Sequence, residues 1–379
     1  FRDAFDVCCL RGRLVVLRTA NALFLCFILV ALLMGCSDDP PAKPDASGDE
    51  LDFPELPELV DSSTELPEQL EDDEEVDEID DFELSPGDAD QDGVPDEEDN
   101  CQTHANPLQE DADGDGRGDA CDPDRDGDGV SNARDLFPDD PSFPVPVQAD
   151  AVYAHSSSTL YRVSVKTGEV VSVGDIRWPV GRSDEDMTDL AIDSEGVIYA
   201  ISFNALYVCS ASDARCILLA DFPTEQDFNG LSFLPPGTLD ASAEVLIAIS
   251  QAGDWFRVRI NGPLAQFEKL GTYGDGYGSA GDAYSIMGQG TYAAVYDSKD
   301  ASHDNLIIKV DPLTGQALEE VTTLPGYMMV WGLAGWTQRA FAFDAQGDIL
   351  TVDTLTGEWS VCAETRIEWW GAGVRTIIN

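Results

Sequence analysis

Three stretches of this chain set carboxylates at alternate positions ahead of a glycine. The first holds Asp88, Asp90, Asp92, Gly93, Asp96 and Asp99. The second holds Asp111, Asp113, Asp115, Gly116, Asp119 and Asp122, and the third Asp124, Asp126, Asp128, Gly129, Asn132 and Asp135. Each reads Asp-x-Asp-x-Asp-Gly, then an acid or amide at position nine and Asp at position twelve. Alternate side chains of a short loop aim hard oxygens at one centre, and the glycine lets the backbone turn sharply. Such a loop suits Ca²⁺, which takes roughly six to eight oxygen ligands in a flexible shell. Mg²⁺ fits less well, because it keeps its waters and demands stricter octahedral geometry. Without a cation these carboxylates would repel one another. A merely solvated acidic run has no positional rule; here the glycine and the ligand-type residues recur in register three times. Calcium is therefore the expected cofactor and these side chains its expected ligands.

The elements around the loops are not the helices of an EF-hand. Position twelve is Asp rather than a bidentate Glu, and Pro95, Pro107 and Pro123 leave no room for flanking helices. The segments Asp99-Asn100-Cys101, Asn106-Pro107-Leu108-Gln109 and Gly118-Asp119-Ala120-Cys121-Asp122 resemble thrombospondin type 3 repeats. So does the spacing of the loop starts, 88, 111 and 124, and Asp135-Leu136-Phe137-Pro138-Asp139-Asp140-Pro141 is similar to the close of bacterial arrays of these repeats. Gln102 departs from the family, which carries Pro there, but it is no ligand. The resemblance covers residues 88–140 and implies an extended array wrapped around calcium ions, with disulfides in place of an apolar interior. It also implies that Cys101 pairs with Cys121. Cys209 and Cys216 flank a polar turn between two β-type runs, where facing cysteines can pair. Cys362 is left over and reads as a small buried apolar side chain. Paired cysteines beside calcium loops point to an oxidising compartment outside the cytoplasm.

The charge of −52 is concentrated in the first half of the chain. Residues 38–87 carry 21 Asp or Glu against one Lys, and residues 88–140 carry 19 against three Arg, whereas residues 151–379 balance 30 with 13. A chain so acidic repels phosphates, which excludes nucleic acid as a partner. Arg11, Arg13 and Arg18 precede the apolar segment Ala22–Met34, a signal-peptide shape over residues 1–35 that is short for a membrane span. It ends Leu33-Met34-Gly35-Cys36, which resembles a bacterial lipoprotein box with Cys36 as the lipidated residue. Ser37 after it fits the outer membrane. Asp3 and Asp6 are unusual for such a leader, and the expected start lies near Val15 or Val16. Residues 36–87, acidic and broken by Pro54, Pro57, Pro67 and Pro86, read as a disordered, self-repelling linker.

A Pro-rich break, Pro138 to Pro146, precedes a domain over residues 150–379 built of short β-type runs. Turns of the form Val-x-x-x-Thr-Gly end at Gly168, Gly315 and Gly357. A second landmark recurs at Leu190-Ala-Ile-Asp193, Gly230-Leu-Ser-Phe233, Tyr284-Ser-Ile-Met287, Gly332-Leu-Ala-Gly335 and Gly371-Ala-Gly-Val374. Their spacing is that of a four-stranded blade. The fold class is mainly β, with a C-terminal β-propeller of about five blades, or else a β-sandwich. The last strand, from Gly371, completes the sheet begun at Ala151 and so closes the ring. Catalytic signals are weak. His104, His155 and His303 form no metal-type pair, and no Gly-x-Ser-x-Gly is present. Gly276-Tyr-Gly-Ser-Ala-Gly281 precedes β-type sequence rather than a helix, and reads as an inter-strand loop. Asp184, Glu185, Asp186 and Asp189 read as a solvated loop, the alternative being a propeller mouth. Trp331, Trp336, Trp359, Trp369 and Trp370 read mainly as core, with one or two able to stack on a ligand at a mouth. The reading is a lipid-anchored, calcium-binding bacterial surface protein whose propeller binds a protein or glycan for adhesion or recognition. A tethered lyase or glycosidase acting on polysaccharide is the alternative.

Overall fold

The structure is a computed structural model, and it describes residues 87–182, 186–274 and 276–378. The expected signal peptide, the lipidated Cys36, the acidic linker and Asp184 and Glu185 lie outside the described residues. Within residues 80–379, one compact unit, twenty strands form five four-stranded antiparallel sheets. Blade 1 holds β1 (Ala151–His155), β2 (Thr159–Ser164) and β3 (Val170–Asp175). Blade 2 is β4 (Asp189–Ile192), β5 (Ile198–Ile201), β6 (Ala205–Cys209) and β7 (Cys216–Asp221). Blade 3 is β8 (Phe228–Leu234), β9 (Val245–Ser250), β10 (Asp254–Ile260) and β11 (Ala265–Thr272). Blade 4 is β12 (Tyr277–Ile286), β13 (Gly290–Asp297), β14 (Asn305–Val310) and β15 (Ala317–Leu324). Blade 5 is β16 (Val330–Trp336), β17 (Arg339–Asp344), β18 (Asp348–Asp353) and β19 (Trp359–Glu364).

Closure comes from the chain end. β20 (Gly371–Gly373) pairs with β1 through Tyr153↔Gly373, Ala154↔Ala372 and His155↔Gly371, becoming the innermost strand of blade 1. The innermost strands β4, β8, β12, β16 and β20 then neighbour one another in a ring, which leaves no open radial edge. The five recurring landmarks of the sequence fall on these five strands. Backbones meet tightly at the axis: a Cβ on Gly281 would strike the Trp331 backbone at 2.1 Å, and one on Gly332 the Gly371 carbonyl carbon at 2.8 Å. Gly276–Gly281 is accordingly not a loop as expected; Tyr277 onwards belongs to β12, and Gly281 serves this close approach.

The Thr-Gly turns close the outer hairpins. Gly315 and Gly357 both sit at φ 74°, where only glycine is unstrained, while Asp311 and Asp353 side chains accept the amides of Leu313 and Leu355 at 2.9 Å. Blade 2 differs: Ala214 takes the positive φ (54°), and the disulfide Cys209–Cys216 bridges the same hairpin, with Cα atoms 4.0 Å apart. Cys362 on β19 is half-buried, its Sγ beside Gly168 of the β2–β3 turn. Buried apolar faces between blades form the core, with Trp255 and Trp369 wholly enclosed.

The Pro-rich segment packs onto the ring. Val130, directly after the glycine of the third acidic loop, and Phe143 are fully buried against Val197 and Val208 of blade 2. Phe137 meets Phe143 edge-on at 5.5 Å, and the Arg215 guanidinium lies 4.7 Å over the Phe143 ring. The Ala211 and Val147 amides donate to the Val145 and Gly196 carbonyls at 2.9 Å, continuing this docking through the backbone.

Candidate metal centre and propeller axis

The three acidic loops share one hydrogen-bonded frame. The carboxylate at position one accepts the amide of the glycine at position six: Asp88 from Gly93, Asp111 from Gly116 and Asp124 from Gly129, each at 3.1 Å. The glycines hold φ of 94–97° there. Position nine accepts the amide of position two, as Asp96 from Ala89 (2.8 Å), Asp119 from Ala112 (2.8 Å) and Asn132 from Arg125 (3.0 Å). Position twelve accepts the amide two residues on: Asp99 from Cys101 (2.8 Å), Asp122 from Asp124 (2.8 Å) and Asp135 from Phe137 (2.7 Å). This frame leaves the other oxygens pointing inward.

Positions one, three and five converge in every loop. Asp88, Asp90 and Asp92, then Asp111, Asp113 and Asp115, then Asp124, Asp126 and Asp128 each bring oxygens within 4.8 Å of one another. Position twelve stands close enough for its charge to act on the set: Asp99 on Asp90, Asp122 on Asp113, Asp135 on Asp128. Position nine also braces the loop, and in the third loop Asn132 donates to the Asp122 carbonyl at 2.7 Å.

Several of these oxygens are buried without a donor. Both Asp90 oxygens, Asp99 Oδ2, Asp124 Oδ1, Asp126 Oδ2, Asp128 Oδ2 and Asp135 Oδ2 accept no hydrogen bond from the protein. No ion pair to the loop carboxylates forms among the described residues. Burial pushes Asp128 up to about 6, only partly offset by the Val130 amide and reinforced by the neighbouring Asp126 charge. Burial likewise raises Asp90, Asp124 and Asp135. Acceptor-only oxygens, gathered and desolvated with no counter-charge from the chain, fit a hard divalent cation. The loops are unequal: Asp113 and Asp115 are exposed, whereas Asp126 is 5% exposed and its loop rests on the propeller.

Two devices join consecutive loops. The disulfide Cys101–Cys121 spans the second loop with Cα atoms 5.7 Å apart. Gly118 lies so close to Asn100 that a Cβ would meet its Oδ1 at 2.2 Å, and Gly127 lies as tightly against Asp113. The matches to known proteins fall on this framework. Residues 85–109 and 110–141 match the family model of the thrombospondin type 3 repeat. Residues 85–141 carry thrombospondin type 3 repeats. The cartilage oligomeric matrix protein of Mus musculus is 54% identical over 61 residues, 14% of this chain and 8% of that protein. Thrombospondin-4-B of Danio rerio is 57% identical over 55 residues, 12% of this chain and 6% of that protein. The chain thus spans less than a tenth of the curated relatives it matches. For the larger domain, a nidogen/laminin complex aligns over 59% of this chain and 97% of that one, with TM-score 0.37 and 10% identity. An oligogalacturonate lyase with manganese aligns over 60% and 63%, with TM-score 0.30 and 13% identity. Likenesses at these scores carry no argument about function.

Beyond the loops, the axis of the ring gathers titratable groups. Asp189 and Asp282 are 0% exposed, from blades 2 and 4. Asp189 accepts the Leu231 amide of blade 3 at 2.5 Å; Asp282 accepts the Leu333 amide of blade 5 at 3.0 Å and the Ala372 amide of β20 at 3.2 Å. His155 of blade 1, wholly buried, donates through Nδ1 to the Ser156 carbonyl and sets Nε2 3.9 Å from Asp189 Oδ1. Burial, then the Asp189 charge beside it, raises Asp282 well above the usual carboxylate range. These groups tie all five blades together. Asp189 is therefore an axial brace and not the solvated loop residue expected of it, and Asp282 escaped sequence reasoning altogether. Its only signal was an acid in a run of glycine and small residues at the start of an inner strand.

One mouth of the ring, at the N-terminal ends of the innermost strands, holds a cavity of about 440 Å³. Every innermost strand or the residue before it contributes: Thr188, Asn229, Gly281, Trp331 and Trp370. Among the described residues, no Asp, Glu, Lys or Arg lines it. The third acidic loop docks on the opposite side, at the C-terminal ends of the same strands. There Ser131 Oγ donates to Glu195 at 2.9 Å, and Arg134 donates to Ser194 Oγ at 2.8 Å and forms an ion pair with Glu244. Glu244 also accepts from Thr376, just after β20.

Proposed function

We propose that this is a lipid-anchored, calcium-stabilised bacterial surface protein that displays a propeller for adhesion or recognition. The carrying observation is the placement of the two sites on opposite faces of the ring. An array rigidified by calcium, docked through Val130, Phe143 and Arg134, holds one face, and the uncharged mouth looks the other way. In this reading calcium is structural, bound through the carboxylates at positions one, three, five and twelve, with an affinity suited to millimolar ambient calcium. Roughly 10⁻⁴ to 10⁻³ M is common for extracellular modules. Cys36 carries the lipid, the acidic segment after it spaces the array from the outer membrane, and the ligand is a protein or glycan outside the cell.

Binding is favoured over polysaccharide cleavage by the state of the carboxylates. Asp189 and Asp282, on inner strands β4 and β12, are fully buried with their oxygens engaged by amides, whereas a glycosidase pair must reach its substrate. The test is expression of the full chain in a bacterium, with membrane fractionation and intact mass. The expected product lacks residues 1–35, carries acyl mass on Cys36 and moves to the soluble fraction as Cys36→Ser. A membrane-bound Cys36→Ser variant, or a mature mass retaining residues 1–35, refutes the anchor.

A further inference from the structure

We infer that the mouth cavity is a binding site for a neutral saccharide, a conclusion that rests on the recognition reading and names its ligand class. The site is built by the ring itself, since corresponding positions of all five innermost strands supply its floor. Four features select the ligand. The first is the missing charge: a quarter of the chain is Asp, Glu, Lys or Arg, yet among the described residues none lines this cavity. A phosphate or uronate would find no cation there and would enter against a strongly negative protein.

The second feature is a pair of indoles. Trp331 and Trp370, from adjacent blades, meet edge to face with centroids 6.0 Å apart and planes at 86°, both half-buried at the cavity wall. Two faces at right angles offer apolar platforms to the C–H faces of a ring or of two linked rings, and an amphipathic tip for hydroxyls. The third is Asn229, whose Nδ2 donates to the Ser279 carbonyl at 3.3 Å while its buried Oδ1 accepts nothing from the protein. A buried amide oxygen without a donor is costly, and a ligand hydroxyl supplies the donor. The fourth is further polar lining from Thr188, Gln251, Ser279 and Asn305, whose hydroxyls and amides can exchange hydrogen bonds in both directions. A mostly apolar cavity with a few convergent neutral polar groups is the arrangement that fixes a polyol's orientation.

The test uses the full chain in calcium, titrated by calorimetry and tryptophan fluorescence. The probes are neutral gluco-, manno- and galacto-oligosaccharides, with oligogalacturonate and choline as charged controls. A neutral oligosaccharide should bind and shift the fluorescence. Trp370→Ala should weaken binding roughly tenfold or more, the size of one lost stacked face. Asn229→Asp, which keeps the shape but replaces the amide with a charge, should weaken it as well, with an unchanged melting temperature showing that the ring is intact. Binding of choline or uronate in place of neutral sugars, lost in Trp370→Ala, overturns the saccharide assignment and leaves the recognition reading standing. No response to any neutral oligosaccharide, or binding indifferent to both substitutions, overturns the site.

Discussion

In the calcium array a turn is held by a carboxylate that accepts backbone amides and keeps its second oxygen inward, as Asp88, Asp111 and Asp124 do. In the propeller the axis is also held by carboxylates that accept amides, Asp189 and Asp282, but there the second charge is suppressed rather than matched. The same side chain is thus used in two ways. Gathered in threes, its surplus charge fits a cation; set as one pair at 0% exposure, it is pushed upward by burial, Asp282 well above the usual carboxylate range. The contrast extends to how each region resists unfolding. Apart from Val130 and Cys101 the loops bury almost nothing apolar, so their order depends on an ion and a disulfide, while every blade of the ring buries an apolar face. What decides between the two is the availability of apolar area.

Removing calcium should separate the regions most strongly. With chelator, hydrogen exchange in residues 88–135 should rise to that of an open chain while β4, β8, β12 and β16 stay protected; array amides that remain protected would break the comparison. Disulfides give the next largest effect. Loop closure predicts that Cys121→Ser costs the array about 3 kcal/mol, and Cys216→Ser costs the ring about 2 kcal/mol because its loop is shorter. Urea titrations in calcium measure both, and equal losses from one shared transition would show the regions to be a single cooperative unit.

The docking face sharpens the comparison further. Arg134→Ala leaves Glu244, 4% exposed, without its cation. Since Arg134 is itself 31% exposed, the loss should be about 1–2 kcal/mol, smaller than for a fully buried pair. It should appear as weaker calcium binding in the third loop with the second unaffected; an equal change in both contradicts the docking. The smallest effect concerns pH. Because Asp282 is raised in the folded ring, its stabilisation is fully present below the ordinary carboxylate range and is lost as pH rises through its folded value. Asp282→Asn keeps an accepting oxygen and cannot ionise. The wild-type stability minus that of the variant should therefore fall as pH rises above the ordinary carboxylate range; a flat difference removes this account of the axial carboxylate.

The array was legible because its rule is local: twelve consecutive residues specify each loop. Position nine shows what spacing alone leaves out: its side chain also accepts the amide of position two, as Asp96 does from Ala89. The five blades were legible from the Thr-Gly turns and the inner-strand landmarks, both of which repeat with the blade. The axis was not, since Asp189 and Asp282 stand far apart in sequence and converge only when β20 closes the ring. Trp369 and Trp370 make the same point between neighbours, one wholly buried in the core and the other at the mouth. The docking of the Pro-rich segment rests on Val130 and Phe143, which no periodic pattern marks.

The central claim is that the acidic loops are built around calcium, and titration calorimetry of the full chain tests it most directly. Three or more ions should bind near millimolar concentration or below, with weakened binding in Asp126→Ala. No heat of binding at millimolar calcium would contradict the account and leave the loops as an acidic surface without a metal.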